Sequence, residues 1–154
     1  MKATGIVRRI DDLGRIVIPK EIRRTLHIRE SDPLEIFTDR EGQVILKKYS
    51  PIGEMTTFAR QYAESLAQVS GHTALIADRD QFIAVAGGSK QLLNKAVSRQ
   101  LEEKIHNRET VIAAKGDRNY VNIAEDIAID YAWQLITPII CEGDIIGSVI
   151  LLEN

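Results

Sequence analysis

The first 26 residues constrain this chain more than any other stretch, because they combine positive charge with the pattern of a small folded motif. They contain seven lysines and arginines against three acids, whereas residues 51–154 carry nine basic and fourteen acidic side chains. A charged solvating tail would lack the β-branched runs, the turn and the helix start that are present here. The pattern therefore predicts a folded nucleic-acid-binding motif.

Residues 1–49 are predicted to form elements in the order β-β-α-β-β. The first hairpin turns at Gly14, which is free to take a positive φ, and Pro19 suits the first position of a helix, where its missing N–H costs nothing. A second hairpin surrounds the Gly-containing turn Asp39–Gly42. The predicted elements are strands Thr4–Ile10 and Arg15–Ile18, helix Lys20–His27, and strands Leu34–Thr38 and Val44–Lys48.

The first predicted strand carries apolar side chains on both faces, since Ile6 and Ile10 share one face and Val7 lies on the other. One isolated hairpin would leave some of them exposed. About 50 residues rarely hold a core without a metal, a disulfide or a partner chain. The sequence offers neither a metal-ligand cluster nor a second cysteine. We therefore predict an obligate homodimer that completes its core with the second chain.

The segment Ser50–Gly53 interrupts the pattern, and we predict a first domain at 1–50, a linker at 51–53 and a second domain at 54–154. The order of elements in the second domain favours one antiparallel sheet with helices packed on it, an α+β fold. The predicted helices are Glu54–Val69, with an inward stripe of Met55, Phe58, Ala59, Tyr62, Leu66 and Val69, and about Gln91–His106, capped by Ser89. The predicted strands are Thr73–Ala77, Phe82–Ala86, Thr110–Ala114, Tyr120–Ile123, Gln134–Ile140 and Ile145–Leu152.

The cellular compartment is predicted from what the sequence lacks. One cysteine, Cys141, permits no intrachain disulfide and fits a reducing compartment. The N-terminus has no apolar run typical of a signal peptide, and no stretch approaches the roughly 20 apolar residues of a membrane span. We expect a cytoplasmic protein with no membrane partner.

The basic residues are spaced so that they can form one surface. Lys20, Arg23 and Arg24 lie three and four residues apart, on one side of the predicted helix. Arg8, Arg9 and Arg15 flank the first turn. The planar guanidinium grips phosphate bidentately and also reaches guanine edges. Taken alone, this pattern is equally compatible with a solvated basic face, in which some arginines pair with Asp11, Asp12 or Glu21.

The string GIVRRIDDLGRIVIPKEIRRTLHI, followed by DPLEIF and VILKKYSP, resembles the DNA-binding domain of the AbrB family of bacterial transition-state regulators. The resemblance covers essentially residues 1–51. It implies a swapped-hairpin β-barrel formed by two chains, and contact with A/T-rich promoter DNA of transition-state or sporulation genes, read more by shape than by a strict base code. The family's DNA-contacting arginines match Arg8, Arg15, Arg23 and Arg24, and Arg9 and Lys20 are further candidates. Such a protein would be nucleoid-associated.

Residues 54–154 are similar to a GAF domain, a sensor and oligomerisation module. The resemblance implies a homodimer or homotetramer, and it leaves the ligand-binding residues and any small-molecule effector unknown. GAF domains of this type usually close with a helix after the last strand, and we expect this domain to lack that helix. We predict no cofactor and no metal site, since His27, His72 and His106 have no ligand spacing. Cys141 and Trp133 are expected to be buried core residues.

Two other functions are weighed against transcription regulation. An antitoxin of a related barrel type would use its N-terminal domain on DNA and a disordered tail on a toxin. The patterned residues 54–154 predict a folded domain instead of such a tail. An enzyme is disfavoured, because no Ser/His/Asp, Cys/His or P-loop arrangement is present.

Overall fold

The computed structural model describes residues 1–154, which form two compact units, Met1–Tyr49 and Ser50–Asn154. The first unit contains helix α1 and strands β1 and β2, and the second contains two longer helices and five strands. The bounds are α1 Lys20–Thr25, β1 Leu34–Thr38, β2 Val44–Lys48, α2 Thr56–Ser70, β3 Thr73–Ala77, β4 Phe82–Ala86, α3 Arg99–His106, β5 Val111–Ala114, β6 Trp133–Cys141 and β7 Asp144–Glu153.

The hairpin of β1 and β2 has the predicted bounds, because its signals are local. The strands pair antiparallel from Leu34 opposite Lys48 to Thr38 opposite Val44. The Asp39 carboxylate closes the turn by accepting the backbone N–H groups of Glu41 and Gln43 at 3.0 and 2.8 Å. This use of a side chain as a turn acceptor is what makes Asp common in such positions.

The strands predicted at Thr4–Ile10 and Arg15–Ile18 are not formed in the single chain, which has no helix or strand before Lys20. A strand exists only beside a hydrogen-bonded neighbour, and no strand lies beside either segment. The turn between them is formed, with the Asp11 N–H donating to the Arg15 carbonyl at 3.0 Å and the Gly14 N–H donating to the Asp11 carbonyl at 3.1 Å.

The first unit has no hydrophobic core of its own. Pro19 is its one buried residue, and none of the buried hydrophobic residues of the chain lies before Ala59. Its exposed large apolar side chains come from both halves of the unit: Met1, Ile6, Val7, Ile10, Leu13, Ile16, Val17, Leu26, Ile36, Phe37, Val44, Leu46 and Tyr49. Water-exposed apolar area on this scale marks an interaction surface.

The second unit is an α+β domain built on one five-stranded antiparallel sheet in the order β4-β3-β7-β6-β5. One face of the sheet, with α3 and the loops around it, encloses the main core, in which Leu75, Phe82, Leu101 and Ile150 are fully buried. The other face packs against α2 in a smaller cluster. Gly147 lies so close to β3 that a Cβ there would stand 2.1 Å from the Ala77 carbonyl oxygen.

The buried face of α2 differs from the predicted one. Ala59 and Ala63 are buried, while Met55, Phe58, Tyr62 and Val69 are at least half exposed. The cause is the sheet beneath the helix, which supplies Ile76 and Ile83 to the contact and leaves room on the helix only for small side chains. The apolar stripe of the sequence is therefore largely an outward face.

The second long helix begins eight residues later than predicted. Ser89 takes a left-handed conformation with φ 51° and precedes only a 3-10 turn, Lys90–Leu92, without a side-chain capping hydrogen bond. Ser98 is instead the N-cap of α3 and accepts the Leu101 N–H at 3.0 Å. The strand predicted at Tyr120–Ile123 is also wrong. That segment is an irregular loop because the Gln134 side chain takes both hydrogen bonds of Val121, at 2.7 and 2.9 Å, in place of a neighbouring strand.

Candidate nucleic-acid interface

The six predicted DNA-contacting residues all lie on the first unit and all are exposed: Arg8, Arg9, Arg15, Lys20, Arg23 and Arg24. Arg15 is the one member of this set that pairs with a carboxylate. The alternative in which some arginines pair with Asp11, Asp12 or Glu21 therefore holds for Arg15 and Asp11, whereas Asp12 and Glu21 pair with no member of the set. We call these six residues the basic set.

Arg15 is the member of the basic set that the turn around Gly14 holds in place by hydrogen bonds. One carboxylate oxygen of Asp11 accepts the backbone N–H groups of Leu13 and Arg15 at 2.9 and 2.8 Å, and the other accepts the Arg15 Nε–H at 2.7 Å. The backbone N–H of Arg15, followed by its guanidinium, holds the pKa of Asp11 below its ordinary value. Asp11 therefore keeps its negative charge to a lower pH than an ordinary Asp does.

Helix α1 carries the remaining well-placed members of the basic set. Pro19 stands at its N-cap rather than at its first helical position, and Arg23 and Arg24 lie in its last turn, where positive charge complements the helix dipole. Arg23 is held by its Nε–H, which donates to the Ile18 carbonyl at 3.1 Å. The terminal nitrogens of both Arg15 and Arg23 are thus left for a ligand.

Arg8 and Arg9 lie before the turn, in the segment that has no strand partner. The Arg8 Nη1 donates only to the carbonyl of its neighbour Val7, at 3.2 Å. The single chain thus orders Arg15 and Arg23 and gives Arg8 no contact beyond the adjacent residue. The sequence reasoning missed Asp11 as an organising residue, although an Asp before a Gly-containing turn is itself a signal for a side-chain acceptor.

The second unit shows no comparable site. The structure has no group of three or more His, Cys, Asp or Glu side chains that could hold a metal ion. Cys141 and Trp133 are exposed, against expectation, because they stand at the two ends of β6, where Cys141 leads into a tight turn and Trp133 is the first residue of the strand. A surface groove of about 330 Å³ lies beside Trp133, between Ile112 and Leu151.

No helix in the structure combines the length and the apolar character that a membrane span requires.

Two family models match the chain, one on each part. Residues 54–154 match the family described as Stage V sporulation protein T C-terminal, transcription factor. Residues 7–54 match the family described as Antidote-toxin recognition MazE, bacterial antitoxin. The first match alone spans more than half of the chain.

The relatives agree with these matches. Stage V sporulation protein T of Bacillus subtilis (strain 168) is 55% identical over 155 residues, a match that covers 100% of this chain and 86% of the relative. The transition state regulatory protein AbrB of the same organism is 44% identical over 108 residues, covering 70% of this chain and 93% of the relative. Both sequence identities are higher than proteins that share only a fold would show.

Among solved structures, the GAF domain from Acinetobacter phosphoenolpyruvate-protein phosphotransferase superposes with a TM-score of 0.53 at 14% identity, covering 70% of this chain and 69% of that one. At this identity the likeness concerns the fold, and it agrees with the α+β sheet of the second unit. The sequence matches leave one assignment: the chain belongs to the AbrB-type transcription-factor family that includes stage V sporulation protein T.

Proposed function

We propose that this protein regulates transcription of sporulation or transition-state genes by binding A/T-rich promoter DNA as a homodimer or homotetramer, in the bacterial cytoplasm and on the nucleoid. The basic set on residues 1–50 contacts the DNA, residues 51–53 link the domains, and residues 54–154 oligomerise or sense a signal. The observation that carries the proposal is the exposed basic set, of which one member alone is paired with an acid. The transition state regulatory protein AbrB, a regulator by name, and the match to the family described as a transcription factor support it.

Electrostatics favour a polyanionic partner for the first unit. Its first 26 residues hold seven basic and three acidic side chains, and a dimer doubles that excess. Arginines on DNA phosphates release counterions, so binding weakens with salt. If all four arginines of the family pattern contact phosphate in both chains, the slope of log K against log salt approaches about −7.

A second chain supplies what the first unit lacks. The first unit buries only Pro19 and exposes many large apolar side chains, as expected of a unit that holds half of a core. A dimer buries these side chains and gives the segments around the Asp11 turn the strand neighbours they need. The outward face of α2, where the tilted rings of Phe58 and Tyr62 lie with their centroids 4.8 Å apart, supports a further association into tetramers.

The antitoxin alternative draws on the match of residues 7–54 to the MazE model. A toxin-binding antitoxin of this kind is expected to present a disordered tail. Residues 50–154 instead form a packed domain with its own core. This observation favours transcription regulation.

The test removes two arginines of α1 and measures DNA binding. In fluorescence anisotropy with an A/T-rich promoter duplex at two salt concentrations, Arg23→Ala/Arg24→Ala should weaken binding by at least about 100-fold at low salt, because four phosphate or base contacts per dimer are lost. The magnitude of the salt slope should fall by about 3 to 4.

A matched control removes the same charge from the second unit. Arg60→Ala/Arg118→Ala replaces two exposed arginines outside the basic set and should change affinity by less than about threefold, through long-range electrostatics alone. Equal binding by the two double variants, or a wild-type protein that ignores the duplex at low salt, would reject the proposal.

A further inference from the structure

Both carboxylate oxygens of Asp11 accept hydrogen bonds within the turn that begins at this residue. Oδ1 accepts two backbone N–H groups, from Leu13 and Arg15, and Oδ2 accepts the Arg15 Nε–H at 2.7 Å. An acid within a DNA-binding surface repels phosphate. Its presence among the basic set therefore calls for a compensating role.

The geometry of the pair points to that role. The carboxylate engages the Arg15 guanidinium through Nε only, and the Arg15 side chain remains 71% exposed. Both terminal nitrogens, which carry four of the five guanidinium N–H groups, keep the fork that matches a phosphate or a guanine edge. An arginine held in this way loses less side-chain freedom when it binds.

Arg23 is also held by its Nε–H alone, but its acceptor is a backbone carbonyl. Its Nε–H donates to the Ile18 carbonyl at 3.1 Å. Two arginines of the basic set, on separate elements, are therefore anchored at Nε and open at their tips. Only the anchor of Arg15 is a side chain, so only that one can be removed by substitution.

We infer that Asp11 is a positioning residue for DNA binding, holding the Arg15 guanidinium by its Nε–H so that its two terminal nitrogens face the nucleic acid. This inference rests on the proposed function. It differs from two simpler roles for Asp11. A residue that only closes the turn would act independently of Arg15, and a residue that only competes with DNA for Arg15 would weaken binding.

The discriminating variant is Asp11→Asn. The asparagine oxygen can still accept the backbone N–H groups of the turn, but its NH₂ group cannot accept the guanidinium N–H. The substitution also removes a negative charge near the DNA. We expect Asp11→Asn to bind the promoter duplex about 10-fold more weakly than the wild type in spite of this electrostatic gain. The double variant Asp11→Asn/Arg15→Ala should bind no more weakly than Arg15→Ala alone.

Asp12→Asn is the matched control, since it removes the same charge at the next residue, which is exposed and holds no part of the Arg15 contact. It should bind equally well or more tightly. A double-mutant cycle with Arg15→Ala completes the test, because the Asp11→Asn effect should vanish once the guanidinium is gone.

Each outcome has one meaning. Tighter or unchanged binding by Asp11→Asn overturns the inference in favour of a competing anion, and an effect that persists in the Arg15→Ala background overturns it in favour of the turn alone. In both cases weaker binding by Arg15→Ala leaves the proposed function standing. A wild-type protein that does not bind DNA overturns both.

Discussion

At the scale of single residues, the chemistry of the candidate interface depends on which acid accompanies which arginine. Asp11, Asp12 and Glu21 are all near basic residues in sequence, yet Asp11 alone forms an ion pair with a member of the basic set. The choice follows from the turn, which brings residues 11 and 15 together through the Asp11 N–H and the Arg15 carbonyl. Spacing alone could not distinguish these acids.

The pH response of Asp11 is a prediction at this scale. Its pKa is lowered first by the Arg15 backbone N–H and then by the Arg15 guanidinium. A lowered pKa means that the interaction is fully present above the ordinary Asp value and is lost as the pH falls through the lowered value. As the pH falls below about 4, the turn should therefore open at a higher pH in variants that lack the guanidinium than in the wild type.

NMR titration of the Asp11 side-chain carbon measures this directly. In Arg15→Ala the pKa should rise but stay below its ordinary value, because the backbone N–H groups of residues 13 and 15 still donate. Arg8→Ala, which removes a guanidinium that contacts only Val7, is the control and should leave the titration unchanged. An Asp11 titration that does not respond to Arg15→Ala would contradict the assigned cause.

At the scale of elements, the hairpins β1–β2 and β3–β4 are predicted well, whereas the hairpin around Gly14 and the helices are predicted less well. The strands β1 to β4 have the predicted bounds, because turn residues and β-branched runs are signals within a few residues. The start of α3 was placed too early, because the cap at Ser98 depends on a partner far along the chain. Its hydroxyl donates to the Asn122 carbonyl while accepting the Leu101 N–H.

Ser98→Ala is the prediction for this element. It removes the helix cap and leaves the Asn122 carbonyl without its donor, so the second unit should lose about 2 kcal/mol of unfolding free energy. Chemical denaturation followed by the fluorescence of Trp133 measures the loss. Ser65→Ala, an exposed position within α2, is the control and should stay within about 0.5 kcal/mol of the wild type. Equal stability of the two variants would show that the cap contributes nothing.

At the scale of the whole molecule, the two units differ in how they obtain a core. The second encloses fully buried side chains such as Leu75 and Phe82, whereas the first buries only Pro19. The second unit can therefore fold as a single chain. We propose that the first gains a comparable core by association, which would couple its folding to protein concentration.

Hydrogen exchange of the intact protein should reveal this coupling. In a dimer that opens through its monomers, exchange of the amides of β1 and β2 should slow by about threefold for each tenfold rise in protein concentration. The amides of β3 and β7, inside the second unit's sheet, serve as the internal control and should not respond. A monomeric mass in sedimentation together with concentration-independent exchange would contradict the dimer.

The sequence by itself determined the elements whose signals are local. Turn residues placed the hairpins β1–β2 and β3–β4, and charge placed the basic set. The small size of the first domain, with apolar residues on both faces of its first predicted strand, predicted a partner chain. The DNA-contacting roles of Arg8, Arg9, Arg15, Lys20, Arg23 and Arg24 stay predictions, since they depend on a ligand.

Only the tertiary structure decided which surfaces are buried. The sheet face beneath α2 carries large side chains, so the helix turns Ala59 and Ala63 inward and leaves Phe58 and Tyr62 outside. Periodicity identifies an apolar stripe, but the volume left by the opposite surface selects the face that is packed.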